Sequence, residues 1–130
     1  MSEIRGRETV VLADDYDGLV KWYRDVLGFR VIRLFDDGFH YCNLETASGI
    51  KVGIALASEM GVTSTDRGAQ RVILQFEVDD VREFFATIEG AGGTIVNPAT
   101  FNEQDRFWFG AIADPEGNQC WVVDSQCPSR

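Results

Sequence analysis

The sequence predicts an α+β fold made of two copies of one unit, each a strand, a helix and three further strands. Two stretches carry the same pattern 65 positions apart: Asp15 and Asp80 are each followed by apolar residues spaced i, i+3, i+4 and i+7, as in an amphipathic helix. In each copy a glycine, Gly28 or Gly92, then precedes an apolar, strand-like segment. A repeat of this length indicates duplicated architecture, so the two halves are expected to fold alike.

The first module is expected at about residues 7–57. Asp15 is a good helix N-cap, because its carboxylate accepts hydrogen bonds from the free N–H groups of the first turn. The helix is expected to run to about Leu27 and to end at Gly28, since glycine suits the left-handed conformation there. Strands are expected at 8–13 before the helix and at 29–35, 39–45 and 50–56 after it, with turn residues that predict an antiparallel meander.

The second module is expected at about residues 70–125, after a polar linker at 58–69. Its helix is capped by Asp80, has Glu83 three residues on as in a capping box, and ends near residues 90–92. Asp-Pro-Glu-Gly at 114–117 predicts a type I turn in the last hairpin. Neither module alone buries a good core, so the whole chain, 1–130, is predicted to form a single domain. The strands of this module are expected at 71–78, 94–97, 106–113 and 119–124.

The charge of the chain argues against several classes of partner. With 12 Lys and Arg against 21 Asp and Glu, its formal net charge is −9, which opposes binding to nucleic acid and to anionic membranes. The N-terminus has no signal-peptide core, and no apolar run approaches the roughly 20 residues of a membrane helix. The three cysteines form no CxxC pair, which favours a reducing compartment. We therefore expect a cytoplasmic protein that binds neither nucleic acid nor membrane.

Three short motifs, taken together, resemble those of one family. Trp22-Tyr23 lies on an Asp-capped helix that ends in Leu-Gly-Phe at 27–29, Val-Asp-Asp at 78–80 opens the second helix, and Asp-Pro-Glu-Gly-Asn at 114–118 precedes the last strand. In this order and spacing they resemble the glyoxalase, bleomycin-resistance and ring-cleaving dioxygenase superfamily, whose fold is called vicinal oxygen chelate. The resemblance covers about residues 8–124 and implies that family's fold of two tandem βαβββ modules.

The resemblance also implies where catalytic members of the family hold a divalent metal, on the inner face of the sheets. The corresponding positions here are Glu8, Ile73 and Trp121, with a fourth near Gly53 or Ile54. Only Glu8 has a metal-binding side chain, whereas catalytic metal sites take three or more protein ligands. We therefore expect no metal and no cofactor. The alternative is an unusual metal site built from Glu8, His40, Glu77 and Asp79.

Strand alternation suggests which side chains line the inner face. Carboxylates, an amide and an imidazole there would hydrogen-bond a ligand, and indoles would stack on a planar or cationic group. Each side chain also has a structural alternative: core or dimer interface for the tryptophans, solvated strand ends for the glutamates, and a hydrogen-bonded structural role for the histidine. The candidate ligand-binding residues are Glu8, His40, Gln75, Glu77, Trp108 and Trp121.

The resemblance and the missing metal ligands together predict a metal-independent small-molecule-binding protein, of the kind that sequesters drugs or natural products. The excess of acidic charge and the Glu and Trp lining favour a cationic or aromatic ligand. A homodimer is expected, because the resemblance implies it and the sheet faces away from the helices need covering. Two alternatives stay open: a glyoxalase-like lyase, isomerase or dioxygenase with a non-standard metal site, and a structural or regulatory module whose inner face is an interface.

Overall fold

A computed structural model of the chain describes residues 3, 5–62 and 72–128. The chain divides into two compact units, Met1–Thr65 and Asp66–Arg130, and the described residues of each form one strand, one helix and three further strands. The α+β class and the two βαβββ series are thereby confirmed. Most of the predicted linker at 58–69 lies outside the described residues, and the single domain spanning 1–130 stays a prediction.

The first unit is a four-stranded sheet with a helix on one face. The strand order is β1-β4-β3-β2, with β1 parallel to β4 and the other pairs antiparallel, so the predicted meander is confirmed. The apolar stripe of the helix is buried, as are the alternate strand residues Cys42, Leu44, Val52 and Ile54. The elements are Thr9–Ala13 (β1), Tyr16–Asp25 (α1), Arg30–Phe35 (β2), Tyr41–Glu45 (β3) and Lys51–Leu56 (β4).

Helix α1 begins as expected and ends slightly early. The carboxylate of Asp15 accepts a hydrogen bond from the N–H of Gly18 at 3.1 Å, which confirms the N-cap. The helix ends at Asp25, two residues before the predicted Leu27. Gly28 follows with a φ of +79°, a left-handed conformation that glycine adopts readily. It lies between the end of α1 and the start of β2, where the chain changes direction.

The second unit repeats the plan with its own sheet and helix. Its strand order is β5-β8-β7-β6, with β5 parallel to β8 and the other pairs antiparallel. The N–H of Glu83 donates to the Asp80 carboxylate at 3.1 Å, as the capping pattern predicts. The elements are Leu74–Glu77 (β5), Val81–Gly90 (α2), Thr94–Asn102 (β6), Phe107–Ala113 (β7) and Gln119–Val123 (β8).

The turn before β8 is organised around one buried carboxylate. Asp114 is only 2% exposed, and it accepts hydrogen bonds from the N–H groups of Glu116 at 2.9 Å and Asn118 at 3.0 Å. The Asn118 side-chain amide adds a third, at 2.9 Å. Gly117 has a φ of +87°, which glycine adopts without strain. The predicted tight hairpin is thereby confirmed, with the aspartate as its centre.

Besides the early end of α1, the main differences from the sequence-based boundaries lie at β6, at β5 and at the start of the linker. Strand β6 continues through Pro98 to Asn102 instead of ending at Asn97, because an edge strand tolerates a residue without an N–H. Strand β5 begins at Leu74, later than predicted, and the expected start at Arg71 lies outside the described residues. Ala57–Met60 forms a 3₁₀ helix where the linker was expected to begin. No helix in the described part of the chain is long and apolar enough to cross a membrane.

Candidate functional site

The two faces of the second sheet can be told apart by one glycine on β7. A Cβ added to Gly110 would lie 2.6 Å from the ring of Phe85 on α2, so Gly110 faces the helix. Its strand partner Val122 is fully buried. Because side chains alternate along a strand, Phe109 and Ala111 project from the opposite face, which we call the far face.

A cavity of about 360 Å³ lies against this far face. None of its lining side chains is an aspartate, glutamate, lysine or arginine. Trp121 is 47% exposed and Phe109 36% exposed, so ring surface is available to a stacking partner. Beyond the rings and amides the lining consists of small side chains. Its aromatic rings belong to Phe107, Phe109 and Trp121, and its carboxamides to Gln75, Asn97 and Asn102.

The cavity brings together two of the six candidate residues. Gln75 and Trp121 are strand partners across β5 and β8, and both line the cavity. Glu77 follows two residues along β5, is exposed, and is not among the lining residues. Along β8, Cys120 and Val122 are fully buried and alternate with the exposed Trp121, which lies on the far face. The ligand-binding role of these residues stays a prediction.

The expected placement of Trp108 is wrong. Trp108 lies two residues from Gly110 on β7 and therefore projects toward α2, away from Trp121. The guanidinium of Arg82, on α2, lies 4.4 Å from the centre of the Trp108 ring, a cation–π contact. Since aromatic residues occur at three successive positions, 107–109, the sequence pattern did not distinguish the two faces.

In the first unit, Glu8 is the centre of a hydrogen-bonded cluster. The Tyr41 hydroxyl donates to Glu8 Oε2, and the amide nitrogen of Asn43 lies 3.1 Å from both carboxylate oxygens. Burial, together with the hydrogen bond to Glu8 and its charge, raises the pKa of Tyr41 to about 12. Gly53 faces the cluster, and a Cβ there would lie 2.7 Å from Glu8 Oε2. Glu8 is therefore a partnered, half-buried carboxylate rather than a solvated strand end.

His40 lies just before strand β3, which begins at Tyr41 rather than at residue 39 as expected. Its ring Nδ1 lies 2.7 Å from Glu59 Oε2, and its main-chain N–H donates to Glu59 Oε1 at 2.8 Å. The ring also packs edge-on against Tyr16, with the centroids 5.2 Å apart. Glu59 is thus held at two points, and these contacts fit the structural alternative given for His40.

Comparison with known proteins identifies the family. The sequence profile of the Glyoxalase/Bleomycin resistance protein/Dioxygenase superfamily matches residues 7–122. The chain belongs to this superfamily. No match was found among functionally curated proteins.

Several solved structures share the fold of this chain at low sequence identity. A hypothetical protein from S. aureus matches with a TM-score of 0.77 and 15% identity over 95% of each chain. A glyoxalase/bleomycin resistance protein/dioxygenase family enzyme from Burkholderia phytofirmans matches at 0.73 and 18% over 90% of this chain and 95% of the other. A lactoylglutathione lyase from Agrobacterium tumefaciens matches at 0.71 and 19% over the full length of both. These likenesses establish the fold, and the predicted vicinal oxygen chelate architecture is confirmed.

The residues at the superfamily's metal positions do not fit a divalent ion in this chain. Ile73 and Trp121 offer no ligand atom. The Glu8 carboxylate already accepts from Tyr41 and Asn43, which present hydrogen-bond donors where further metal ligands would present lone pairs. Across residues 3, 5–62 and 72–128, no three His, Cys, Asp or Glu side chains lie close enough together to hold a metal.

Sequence reasoning missed six polar or aromatic residues of these sites: Tyr41, Asn43, Asn97, Asn102, Phe107 and Phe109. Tyr41 and Asn43 follow His40 in alternation with buried Cys42, so the strand period could have placed them with Glu8. Phe109 could have been found in the same way once Gly110 was assigned to the helix side. Asn102 was missed because the strand was expected to end at Asn97.

Proposed function

We propose that this superfamily member is a metal-independent small-molecule-binding protein whose ligand occupies the cavity on the far face of the second sheet. The observation that carries the proposal is the composition of that cavity: aromatic walls with a few amide groups and no charged side chain. Small-molecule pockets are mostly apolar, span roughly 300–1,000 Å³, and use few polar groups to orient the ligand. The cavity of about 360 Å³ suits a compact ring system.

The aromatic side chains favour a planar ligand. Trp121 lies on the inner strand β8 and is 47% exposed, so much of its indole surface is open to a stacking partner. Stacking on an indole adds about 0.5–1.5 kcal/mol beyond the area buried. The net charge of −9 works against anionic ligands, so a neutral or cationic aromatic compound is the favoured class.

A thermal-shift screen of neutral, cationic and anionic aromatic compounds tests the proposal. A ligand that binds only the native state raises stability by about 2.7 kcal/mol at 100 times its Kd. We expect stabilising hits with the wild type and their loss in Trp121→Ala. The matched control is Phe39→Ala, which removes an equally exposed ring, 50% against 47%, from the first unit and should keep every hit.

Two outcomes would overturn the proposal. One is a screen in which no aromatic compound stabilises the wild type. The other is a set of hits that persist unchanged in Trp121→Ala, which would place binding elsewhere. Because Trp121 is half exposed, its replacement is not expected to unfold the protein, and circular dichroism of each variant checks this.

A cytoplasmic homodimer is proposed alongside this function. Ile32 and Leu34 of the edge strand β2 are 56% and 45% exposed, and such apolar edge residues suit a contact with a second copy. Light scattering on a sizing column distinguishes the dimer from a monomer of 14.5 kDa. The three free thiols, Cys42, Cys120 and Cys127, suit a reducing compartment, which cell fractionation tests.

A further inference from the structure

Apart from the thiol of Cys127, the polar side chains that line the cavity on the far face are carboxamides. Asn102 Oδ1 accepts a hydrogen bond from the N–H of Asp105 at 2.8 Å, so that amide is partly engaged. The side chains of Gln75 and Asn97 make no hydrogen bond to any described residue, and both are exposed. Two amides are therefore available to a ligand, each with donors and an acceptor in one plane.

The strand register arranges these amides in one row with the indole. Gln75 on β5 pairs with Trp121 on β8, Trp121 with Ala111 on β7, and Ala111 with Asn97 on β6. Neighbouring strands lie about 4.8 Å apart, so the amides flank Trp121 at about 5 Å on one side and about 10 Å on the other. Ala111, between the indole and Asn97, contributes only a methyl group. A fused bicyclic ring lying on Trp121 has the size to reach an amide with one edge.

The lining has no group that compensates a buried charge. An ionised ligand would lose part of its hydration in the cavity without gaining a counter-charge from the lining, which is unfavourable. An uncharged polar edge of a ligand does not carry this cost. The water that it loses on binding is replaced by a protein amide, which forms a hydrogen bond of similar strength. Glu77, two residues along β5 from Gln75, is the charged group on this strand that would favour a cation.

We infer that the ligand is a planar, uncharged heteroaromatic ring whose edge carries a hydrogen-bond donor beside an acceptor, as in a lactam. This inference rests on the proposed function and narrows it. Trp121 and Phe109 supply the stacking surfaces, and Gln75 or Asn97 pairs with the donor–acceptor edge.

Four bicyclic probes of nearly equal shape test the inference by titration calorimetry. They are 2-quinolone, which has the donor–acceptor edge, naphthalene, which has none, N-methylquinolinium, which is cationic, and quinoline-2-carboxylate, which is anionic. We expect 2-quinolone to bind at least about tenfold more tightly than each of the others, since only its edge satisfies an amide without burying a charge.

Three variants locate the preference. At least one of Gln75→Leu and Asn97→Leu, and in any case the double variant, should bring the affinity for 2-quinolone to within about threefold of that for naphthalene, while naphthalene binding is not weakened. The matched control, Gln104→Leu, removes an exposed amide from the turn before β7 and should leave the tenfold preference intact. All three positions are exposed, so each variant is expected to fold like the wild type.

The failure of this inference differs from the failure of the proposed function. Equal binding of naphthalene and 2-quinolone, or a preference that survives both amide replacements, overturns the donor–acceptor edge and leaves aromatic binding standing. If N-methylquinolinium binds more tightly than the other three probes, the inference of an uncharged ligand is wrong, and a cation that lies near Glu77 is favoured instead. If none of the four probes binds, the inference is overturned. The proposed function is overturned as well only if no compound in the thermal-shift screen stabilises the protein.

Discussion

Replacing Gly53 by alanine tests the cluster around Glu8 at its tightest point. A Cβ at this position would lie 2.7 Å from both Glu8 Oε2 and Tyr41 Cζ, and closer still to the Tyr41 hydroxyl oxygen. Ordinary contacts of a Cβ begin near 3.4 Å, so the phenol must move and its hydrogen bond to Glu8 must weaken or break. Glycine is therefore required here by the close approach of a side chain.

The magnitude follows from two contributions. Overpacking a well-filled site typically costs about 1–3 kcal/mol, and losing a hydrogen bond to a charged group costs about 1.5–3 kcal/mol. The atoms in the way are the ends of the half-buried side chains of Glu8 and Tyr41, which can shift, so the sum is an upper bound. We expect Gly53→Ala to destabilise the protein by about 2 kcal/mol. The melting temperature should fall by roughly 7 °C.

Urea unfolding followed by tryptophan fluorescence measures this change. The control is Gly90→Ala at the end of α2, where a Cβ meets no atom within 4 Å and should be neutral or stabilising by up to about 1 kcal/mol. In a Tyr41→Ala background the obstructing ring is absent, and Gly53→Ala should then cost less than about 1 kcal/mol. An equal cost of Gly53→Ala with and without the Tyr41 ring would refute the reasoning.

Three further predictions concern individual carboxylates and a tyrosine. Asp114→Ala should cost about 2–4 kcal/mol in urea unfolding, because it strands the N–H groups of a buried turn, whereas exposed Asp105→Ala should change stability by less than about 0.5 kcal/mol; equal effects would contradict the turn's role. Hydrogen bonds from His40 lower the pKa of Glu59, so its stabilisation is present above the usual glutamate pKa of about 4.3 and is lost as pH falls through the lowered value. Glu59→Gln should flatten stability against pH in this acidic range, and an unchanged slope would show that Glu59 is not responsible. Burial first, and then the Glu8 carboxylate, raise the pKa of Tyr41 to about 12, so its stabilisation is present below about pH 10 and is lost as pH rises toward 12. Tyrosinate absorbance should lose one late-titrating group in Tyr41→Phe, and loss of a group near pH 10 instead would contradict the shift.

Local chemistry made the frame of each module predictable. Asp15 and Asp80 cap their helices as expected, because an N-cap depends on a side chain and a backbone N–H three residues apart. The turn at 114–117 was likewise predicted from its own residues. Boundaries were less accurate where tertiary position matters, as at Pro98, which is compatible with a strand only because β6 is an edge.

Site residues were harder to predict, because they depend on which face of a sheet the helix covers. His40 was expected on an inner face and instead packs against Tyr16 and Glu59, which are distant in sequence. Trp108 was expected to share a face with Trp121, yet it lies under Arg82 of α2. Alternation divides the side chains of a strand into two sets, but it does not say which set faces the helix. In a run of aromatic residues the two sets have the same composition, so the sequence cannot tell them apart.

The sequence by itself determined the duplicated βαβββ architecture, the superfamily and the poor fit of Ile73 and Trp121 to a metal, since these depend on residue type and spacing. Only the tertiary structure decided that Glu8 is held by Tyr41 and Asn43, and that the cavity beside Trp121 is lined by amides without a charge. The physical reason is strand register: it brings residues distant in sequence into one row, and it is set by the packing of whole sheets rather than by any local segment.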